Sequence, residues 1–348
     1  MSEPYPSSQT VDRSSAGPAV SVLIVSYNTG AQRLSRCLAA LSSQTFRDFE
    51  IILLDNGSED GSVAAQSLPD NATVIKTGEN LGFAGGMNRA AQAAKGKWLA
   101  LLNPDTMVRP DWLERLVAAT ERHPGVKLFG SVQIDMADRD RLDGLGDVYH
   151  ASGIAYRGGY GASTALIPMQ DEEIFAPCAA ASLYDAALFR KLGGFAESFF
   201  CYNEDVDFGF RARLMDERAV LVHDATILHE GSGITGRRSA FTVYHGTRNR
   251  IWTFIRCMPS PLIWLMFPIH VLANLFFLAR AVPLGVAGAY WRGMMDAFFE
   301  AQDAWAARKE LQEQRIMSWR AIAGMMTFSL GKLLTRAPDM RPLPVDED

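Results

Sequence analysis

The sequence predicts an α/β protein with a mostly parallel sheet flanked by helices, followed by a C-terminal helical region. Three observations lead to this prediction. Short aliphatic runs alternate with helical segments in the first third of the chain, polar clusters follow several of those runs, and the pattern becomes helical after Arg237. An alternation of strands and helices is typical of right-handed β-α-β crossovers and of a parallel sheet.

The aliphatic runs predict four strands in the first third of the chain. Continuous runs of aliphatic and β-branched residues suit parallel strands that are buried on both faces. The predicted elements, in chain order, are the strand Val20–Val25, the helix Ala31–Leu41, the strands Glu50–Leu54 and Ala72–Lys76, the helix Gly85–Ala94 and the strand Trp98–Leu102.

The sequence predicts fewer helices and strands in the middle of the chain. Residues 135–171 are rich in Gly, Asp and Tyr, which indicates loops that could fold over a substrate. A helix is expected over Asp185–Leu192, ended by the glycines at 193 and 194. Asn203 is a candidate cap for a second helix that begins at Glu204. A strand is then expected over Ala219–Leu228.

The C-terminal region differs in charge from the rest of the chain. Residues 237–336 hold 13 basic and 5 acidic side chains, whereas the remainder holds 21 basic and 34 acidic ones. The 19 residues from Pro261 to Ala279 carry no charge. Because Pro268, His270 and Asn274 interrupt this stretch, we expect helices that lie in or near a membrane interface rather than a clean span. A buried core helix, in a basic subdomain packed on the body, is the alternative.

Changes in composition along the chain predict the domain organisation. We expect a disordered segment at 1–18, an α/β domain at 19–236 (halves 19–134 and 135–236), a helical region at 237–336 and a polar tail at 337–348. The first 20 residues lack an apolar signal-peptide stretch, so a cytoplasmic protein is expected. The four cysteines form no C-x-x-C pair, which argues against a zinc ribbon or a thioredoxin motif. A net charge of −5 argues against nucleic acid as a partner.

Three polar clusters follow predicted strands: Ser26-Tyr27-Asn28, Asp55-Asn56-Gly57-Ser58 and Asn103-Pro104-Asp105. Ligands of open parallel sheets bind beyond the carboxyl ends of the strands. Asp105 is well placed there to hold a hard divalent cation that bridges two phosphates. Alternatively, it is a turn carboxylate that caps the helix near Asp111. The glycines around Gly82 fit neither a Walker loop nor the dinucleotide fingerprint, which argues against a nucleoside-triphosphate hydrolase and a dehydrogenase.

A second acidic cluster, Glu204-Asp205, follows the aromatic run 199–202. A carboxylate on the rim of a partly apolar pocket can act as a general base for an acceptor hydroxyl. Alternatively, these are two acidic residues that only match the dipole at a helix start.

Taken together, seven motifs resemble family 2 glycosyltransferases with the A-type fold, especially the bacterial rhamnosyltransferase-like branch. The resemblance covers roughly Val20 to Asn249. The motifs are Val25-Ser26-Tyr27-Asn28, Leu54-Asp55-Asn56-Gly57-Ser58, Asn80-Leu81-Gly82-Phe83-Ala84-Gly85-Gly86-Met87-Asn88, Leu102-Asn103-Pro104-Asp105, Gly193-Gly194-Phe195, Asn203-Glu204-Asp205-Val206-Asp207 and His229-Glu230-Gly231-Ser232.

The resemblance implies a role for individual residues. Asp205 would be the catalytic base, with Glu204 positioning the acceptor. Asp105 and His229 would hold Mg²⁺ or Mn²⁺ at the donor diphosphate. Asn103 stands where many relatives have the first acid of a D-x-D motif, and Asn56 stands where many have a second aspartate. The donor nucleotide-sugar would be bound by Ser26, Tyr27, Asn28, Asp55, Asn56, Gly82, Asn88, Asn103 and Arg248.

The resemblance also implies an inverting, metal-dependent transfer in cell-surface polysaccharide synthesis. The favoured donor is dTDP-rhamnose and the favoured acceptor is a lipid-linked or growing glycan, at the cytoplasmic face of the inner membrane. A UDP-hexose or UDP-galactofuranose donor is an alternative. A catalytically silent nucleotide-sugar-binding scaffold is an alternative from another class.

Overall fold

The computed structural model describes residues 17–231 and 239–343. Residues 1–16 of the predicted disordered segment and residues 344–348 of the predicted polar tail lie outside the described residues. Arg237, the predicted start of the helical region, and Ser232, the last residue of the seventh motif, also lie outside them.

The first third of the chain contains the predicted alternation. Its elements are β1 (Val20–Ser26), α1 (Ala31–Ser42), β2 (Phe49–Asp55), β3 (Ala72–Lys76), α2 (Gly82–Ala93), β4 (Trp98–Leu102), β5 (Thr106–Val108) and α3 (Trp112–Arg122). Strands β3, β2, β1 and β4 pair in that order, and each pair is parallel. Their carboxyl ends therefore meet at one edge of the sheet.

Strand β1 is buried on both faces, as its largely aliphatic sequence predicts. Val22 and Ile24 pack in the core layer on one side, and Leu23 and Val25 pack in the layer on the other. Helix α2 approaches β1 closely, since a Cβ on Gly86 would lie 2.8 Å from a methyl carbon of Val25. The small residues of this helix thus allow it to cover the sheet.

The middle of the chain extends this sheet in a mixed arrangement. Its elements are β6 (Leu128–Asp135), β7 (Leu142–Gly144), β8 (Asp147–Tyr149), β9 (Ala155–Arg157), β10 (Glu172–Ile174), β11 (Ala181–Asp185), α4 (Ala186–Lys191), α5 (Glu204–Leu214) and β12 (Ala219–His229). Strand β11 runs antiparallel between β4 and β6, while β12 is parallel to β6. The α/β prediction is confirmed, although the sheet is fully parallel only from β4 to β3.

Two local predictions need correction. The region 135–171, expected as loops, contains β7, β8 and β9, whose three-residue lengths are too short to give a period in the sequence. Asn203 does occupy the N-cap position of α5, but its side chain makes no capping hydrogen bond. Instead, the Asn203 amide donates to the carbonyl oxygen of Gly246, 3.3 Å away.

The C-terminal region is helical, as predicted, and then returns to the sheet. Its elements are α6 (Ala240–Cys257), α7 (Leu262–Ala281), α8 (Ala287–Phe299), α9 (Ala301–Gln314), α10 (Trp319–Met325), α11 (Leu330–Thr335) and β13 (Arg341–Pro342). Strand β13 pairs antiparallel with β10 at the sheet edge. Side chains of α5, α6 and α10, including Phe210, Phe254 and Ile322, share one buried cluster, so these helices are part of the core of the protein.

Candidate active site

The carboxyl ends of β1 and β2 are joined by the first two polar clusters. Asn28 has a left-handed φ of 47°, and its side-chain oxygen accepts hydrogen bonds from the N–H groups of Glu59 and Asp60. Asp55 accepts a bond from the N–H of Ser58 at 3.0 Å. Tyr27 is 40% exposed at this edge. The clusters thus form one shaped loop beside an accessible aromatic ring.

Ser26 and Asn56 support this loop from the interior of the protein. Both are buried, and the Ser26 hydroxyl lies 3.0 Å from that of Thr29. The Asn56 amide donates to Asn80 Oδ1 and to the carbonyl of Gly82, both at 3.0 Å, and its oxygen accepts from the N–H of Leu81. An ionised aspartate could make neither donation, so asparagine at this position matches the turn that it holds.

Two further predicted binding residues, Asn88 and Arg248, use their side chains for hydrogen bonds within the protein. Asn88 of α2 bonds the backbone of Phe195 in both directions and donates to Glu197, which ties α2 to the segment after α4. Arg248 of α6 donates to the carbonyl oxygens of Ser198 and Phe199. The hydrogen bonds of both side chains join parts of the protein together; those of Arg248 hold the segment that leads to α5.

Asn103 and Asp105 follow β4, and His229 ends β12. Asp105 Oδ1 lies 3.4 Å from His229 Nε2, and both residues are buried. Asn103 Oδ1, Asp105 Oδ1 and His229 Nε2 are all buried atoms without a hydrogen-bond partner among the described residues. Buried polar atoms are normally satisfied, so these three atoms, two of which form only a long ion pair with each other, are candidates for holding a ligand.

Asp143 holds the other side of the histidine ring. His229 Nδ1 lies 2.6 Å from Asp143 Oδ2, and Asp143 also contacts Arg157 of β9. Burial would lower the pKa of His229, but Asp105 and Asp143 together raise it to about 9, so a cation bound at Nε2 would have to displace a proton. Burial would raise the pKa of Asp105, but neighbouring His229 holds it below its usual value. A carboxylate behind a histidine is a common outer support in metal sites, and it directs Nε2 toward Asp105.

Glu204 and Asp205 begin α5 beside a third carboxyl group, Asp147 of β8. Asp205 accepts hydrogen bonds from the N–H groups of Ala179 and Val206, at 3.1 and 2.9 Å. Burial, and then the negative charge of Asp205, raise the pKa values of both Glu204 and Asp147 well above the usual range. Each of those two also has a buried oxygen without a partner in the described ranges.

Asp147, Asp205 and Cys178 place their ligand atoms within 4.8 Å of one another. Burial raises the pKa of the Cys178 thiol to about 12, so it stays protonated. A protonated thiol is a poor ligand for Mg²⁺ or Mn²⁺, which prefer oxygen donors. The Asn103, Asp105 and His229 atoms fit such a cation better, and we interpret the Asp147–Asp205 pair as an acid–base group.

Sequence reasoning missed Arg157, and it offered the acids from Asp135 to Asp147, which include Asp143, only as a second choice for the base. Asp143, Asp147 and Arg157 all lie in the region expected to be loops, and they meet the other residues only through the fold. Arg157 contacts Asp143, and although desolvation lowers its pKa, the acidic groups around it, which include Cys178, Asp147 and Asp205, raise it. It therefore links the His229 group to the Asp205 group.

Comparisons with known proteins agree with this fold. A family model described as glycosyl transferase family 2 matches residues 21–193. The N-acetylglucosaminyl-diphospho-decaprenol L-rhamnosyltransferase of Mycobacterium tuberculosis is 31% identical over 250 residues, which span 63% of this chain and 78% of that protein.

Solved structures resemble the chain over most of its length. The mannosyltransferase PcManGT from Pyrobaculum calidifontis, in complex with GDP-Man and Mn²⁺, has a TM-score of 0.52 and 16% identity, covering 89% of this chain and 87% of that one. S. aureus TarS 1-349 in complex with UDP-GlcNAc has a TM-score of 0.52 and 16% identity, covering 88% and 83%. These likenesses confirm the predicted A-type fold. The chain therefore belongs to glycosyltransferase family 2.

Proposed function

We propose that this glycosyltransferase is inverting and metal-dependent, and that it moves rhamnose from dTDP-rhamnose to a lipid-linked or growing glycan. Metal dependence is supported by three buried side-chain atoms, on Asn103, Asp105 and His229, that have no hydrogen-bond partner among the described residues. The sugar and acceptor follow the relative from Mycobacterium tuberculosis, whose name specifies a rhamnosyltransferase acting on a decaprenol-linked substrate.

Asp105, His229 and Asn103 are the residues that would hold a divalent cation, Mg²⁺ or Mn²⁺. Such a cation supplies positive charge that stabilises a leaving diphosphate. Asp143 fixes the ring of His229, so the imidazole needs no reorientation when the donor binds.

Asp205 is the proposed base. The acceptor hydroxyl oxygen forms a bond to the anomeric carbon while the bond from that carbon to the diphosphate oxygen breaks. The hydroxyl proton moves to Asp205, and the nucleoside diphosphate leaves from the opposite face, which inverts the anomeric carbon. Their raised pKa values favour the protonated forms of Glu204 and Asp147, which can donate hydrogen bonds to the acceptor or to Asp205.

Tyr27 and Asp55 are the proposed contacts of the donor base. Both lie at the carboxyl edge of the parallel strands, Tyr27 has an exposed ring, and Asp55 is partly exposed. Asn28, Asn56 and Gly82 shape the loops that present these two groups.

A donor screen tests this proposal. Purified full-length protein would be incubated with Mn²⁺ and dTDP-rhamnose, UDP-galactose, UDP-glucose or UDP-galactofuranose, and both hydrolysis and thermal stabilisation would be measured. We expect the largest response with dTDP-rhamnose. A larger response to a UDP-sugar would identify the alternative donor, and binding without any turnover, even with a lipid-linked acceptor, would support the silent scaffold.

We also propose that the enzyme works at the cytoplasmic face of the inner membrane, held there by α7 and α8. Helix α7 is long and apolar enough to cross a membrane, and only 22% of its most apolar 18-residue stretch is buried in the protein. Its exposed side chains form an apolar surface: Trp264, Leu265, Phe267, Ile269, Val271, Leu272, Leu275 and Phe276.

Two polar residues of α7, His270 and Asn274, face the protein. His270 lies 2.7 Å from the carbonyl oxygen of Ser152 and stacks on Phe254 at 4.1 Å. Asn274 accepts a hydrogen bond from Arg250 of α6 at 2.6 Å. Because a buried stripe fastens α7 to the body while its other sides are apolar, the arrangement favours a helix lying in the interface over one that spans the bilayer.

A further inference from the structure

The segment before Asp205 has an uncommon backbone. Phe200, Tyr202 and Asn203 have φ values of 63°, 72° and 64°. Positive φ is strained for a residue with a side chain, and it persists where the surroundings enforce it, often at functional sites. Three such residues next to the proposed base indicate that the orientation of their side chains is important for the function of the site.

Asn249 of α6 holds this segment from one side. Its side-chain nitrogen lies 2.8 to 2.9 Å from the carbonyl oxygens of Phe199, Cys201 and Tyr202, and it is fully buried. An asparagine NH₂ group has two hydrogens, so the three carbonyl oxygens share them.

Helix α2 holds the segment from the other side. The N–H of Ala84 donates to the carbonyl oxygen of Phe200 at 3.1 Å. Gly82 makes this approach possible, because a Cβ there would lie 2.4 Å from the same oxygen. The segment is therefore clamped between two helices in its strained form.

The strained backbone brings four rings together, and we call them the aromatic ledge: Phe200, Tyr202, Phe241 and His245. The ring of Phe200 stacks on His245 at 5.4 Å, and Phe241 lies 4.5 Å from His245 and 6.4 Å from Tyr202, centroid to centroid. Phe241 is 40% exposed and the other three are partly buried. Burial, and then the charge of Arg248, lower the pKa of His245 to about 4, so its ring is uncharged at neutral pH.

We propose that the aromatic ledge is the subsite for the acceptor, taking the apolar face of a saccharide ring that is joined to a lipid. Aromatic rings attract positively polarised C–H groups to their faces, and one face of many sugar rings presents such groups. Tyr202 lies three residues before Asp205 in the chain, just ahead of α5, so a sugar on the ledge would lie near the proposed base. This proposal rests on the proposed glycosyl transfer.

The surroundings of the ledge favour an acceptor over the donor nucleotide. Tyr27 and Asp55, the proposed base contacts, lie at the ends of β1 and β2, whereas half of the ledge belongs to α6. Next to His245, the Tyr244 hydroxyl bonds Asp296 of α8 at 2.7 Å.

Helix α8 connects the ledge to the proposed membrane surface. Shortly after Asp296 it ends in Phe298 and Phe299, which are 73% and 76% exposed. An acceptor with a sugar on a lipid diphosphate could therefore keep its chain at the apolar surface while its sugar reaches the ledge.

The test replaces Phe241, whose exposure makes the fold tolerant of change, with alanine in the full-length protein. The probe is N-acetylglucosamine linked through diphosphate to a short prenyl chain. We expect Phe241→Ala to raise the acceptor KM and weaken direct binding of the probe about tenfold. The donor KM and donor hydrolysis should not change, and Phe241→Tyr should restore acceptor affinity. Phe328→Ala, at a site 56% exposed, is the matched control.

Unchanged probe binding and acceptor KM in Phe241→Ala would overturn the proposal. An equal rise in donor and acceptor KM would overturn it as well, because the ledge would then serve the donor. Direct probe binding decides the question even where no turnover is seen. Failure of the wild type to turn over any nucleotide-sugar would instead refute the proposed function, and the two failures are thus distinguishable.

Discussion

His229 Nε2 faces Asp105 Oδ1 across 3.4 Å, at the point where the end of β12 meets the turn after β4. Both atoms are buried and lack a hydrogen bond within the described part of the chain. A donor diphosphate bound at this edge of the sheet would carry its negative charge toward them. The pair is thus placed to hold a cation on that diphosphate.

Replacing Asp105 by asparagine should remove the charge while nearly keeping the shape. We expect transfer to fall about 10²- to 10³-fold, the usual loss when one electrostatic contact to the reacting group is removed. Titration calorimetry should show that Mn²⁺ no longer strengthens binding of the nucleoside diphosphate. Asp138→Asn, whose carboxylate is 59% exposed, is the control. Full wild-type activity in EDTA would refute the metal assignment.

Replacing Asp143 by asparagine tests the support behind His229. The ring would lose the carboxylate at 2.6 Å that orients it, although Asp143 is not itself a proposed ligand. Loss of such a partner weakens metal affinity by about 10- to 100-fold. The Mn²⁺ dependence of turnover measures the change, and circular dichroism checks that the fold survives the altered contact with Arg157. An unaltered Mn²⁺ requirement would show that Asp143 only stabilises the fold.

The parallel strands and the order of the motifs could be predicted because local patterns determine them. Five of the seven residues of Val20–Ser26 are aliphatic, and apolar residues also dominate its neighbours in the sheet, so strand ends and polar clusters follow directly. The partner of His229 could not be found in this way. Asp143 is 86 residues away from it, in a three-residue strand without a visible period.

Local patterns also do not show how a polar residue is used. Asn56 matches a motif for binding a nucleotide, but the turn at residues 80–82 takes up both of its amide hydrogens. Its sequence neighbours give no sign of this, since the turn lies far along the chain and is brought close by the pairing of β2 with β3. Burial of Glu204 depends in the same way on distant elements.

Replacing Asp205 by asparagine should abolish transfer without loosening the donor. A positioned base contributes about 10²- to 10⁴-fold, and asparagine keeps the hydrogen bond from the N–H of Ala179 while losing basicity. Turnover and nucleotide-sugar affinity would be measured in one buffer, with Glu204→Gln as the milder comparison. Near-native turnover in Asp205→Asn would move the search to Asp147.

Glu204→Gln should also stabilise the protein, increasingly so as pH rises. Burial and the charge of Asp205 raise the pKa of Glu204 in the folded state, so the unfolded chain loses this proton at lower pH than the folded one. Wild-type stability should fall once pH exceeds the ordinary glutamate value of about 4.3, up to the raised folded value. Glutamine carries no such cost. The Tm difference between variant and wild type should therefore be larger at pH 8 than at pH 5, and a constant difference would contradict this environment for Glu204.

The apolar surface of α7 can be tested by single charges rather than by truncation. A chain ending near Arg256 would lose α10 and the Ile322 side chain that packs with Phe254, so its solubility would not be informative. Leu272 is 65% exposed and Leu334 of α11 is 64% exposed, which makes them a matched pair. Leu272→Glu should reduce sedimentation with vesicles containing anionic lipid, since burying a charge at an interface is costly. Leu334→Glu should bind as the wild type does. Equal binding by all three proteins would refute the proposed role of α7 in membrane binding.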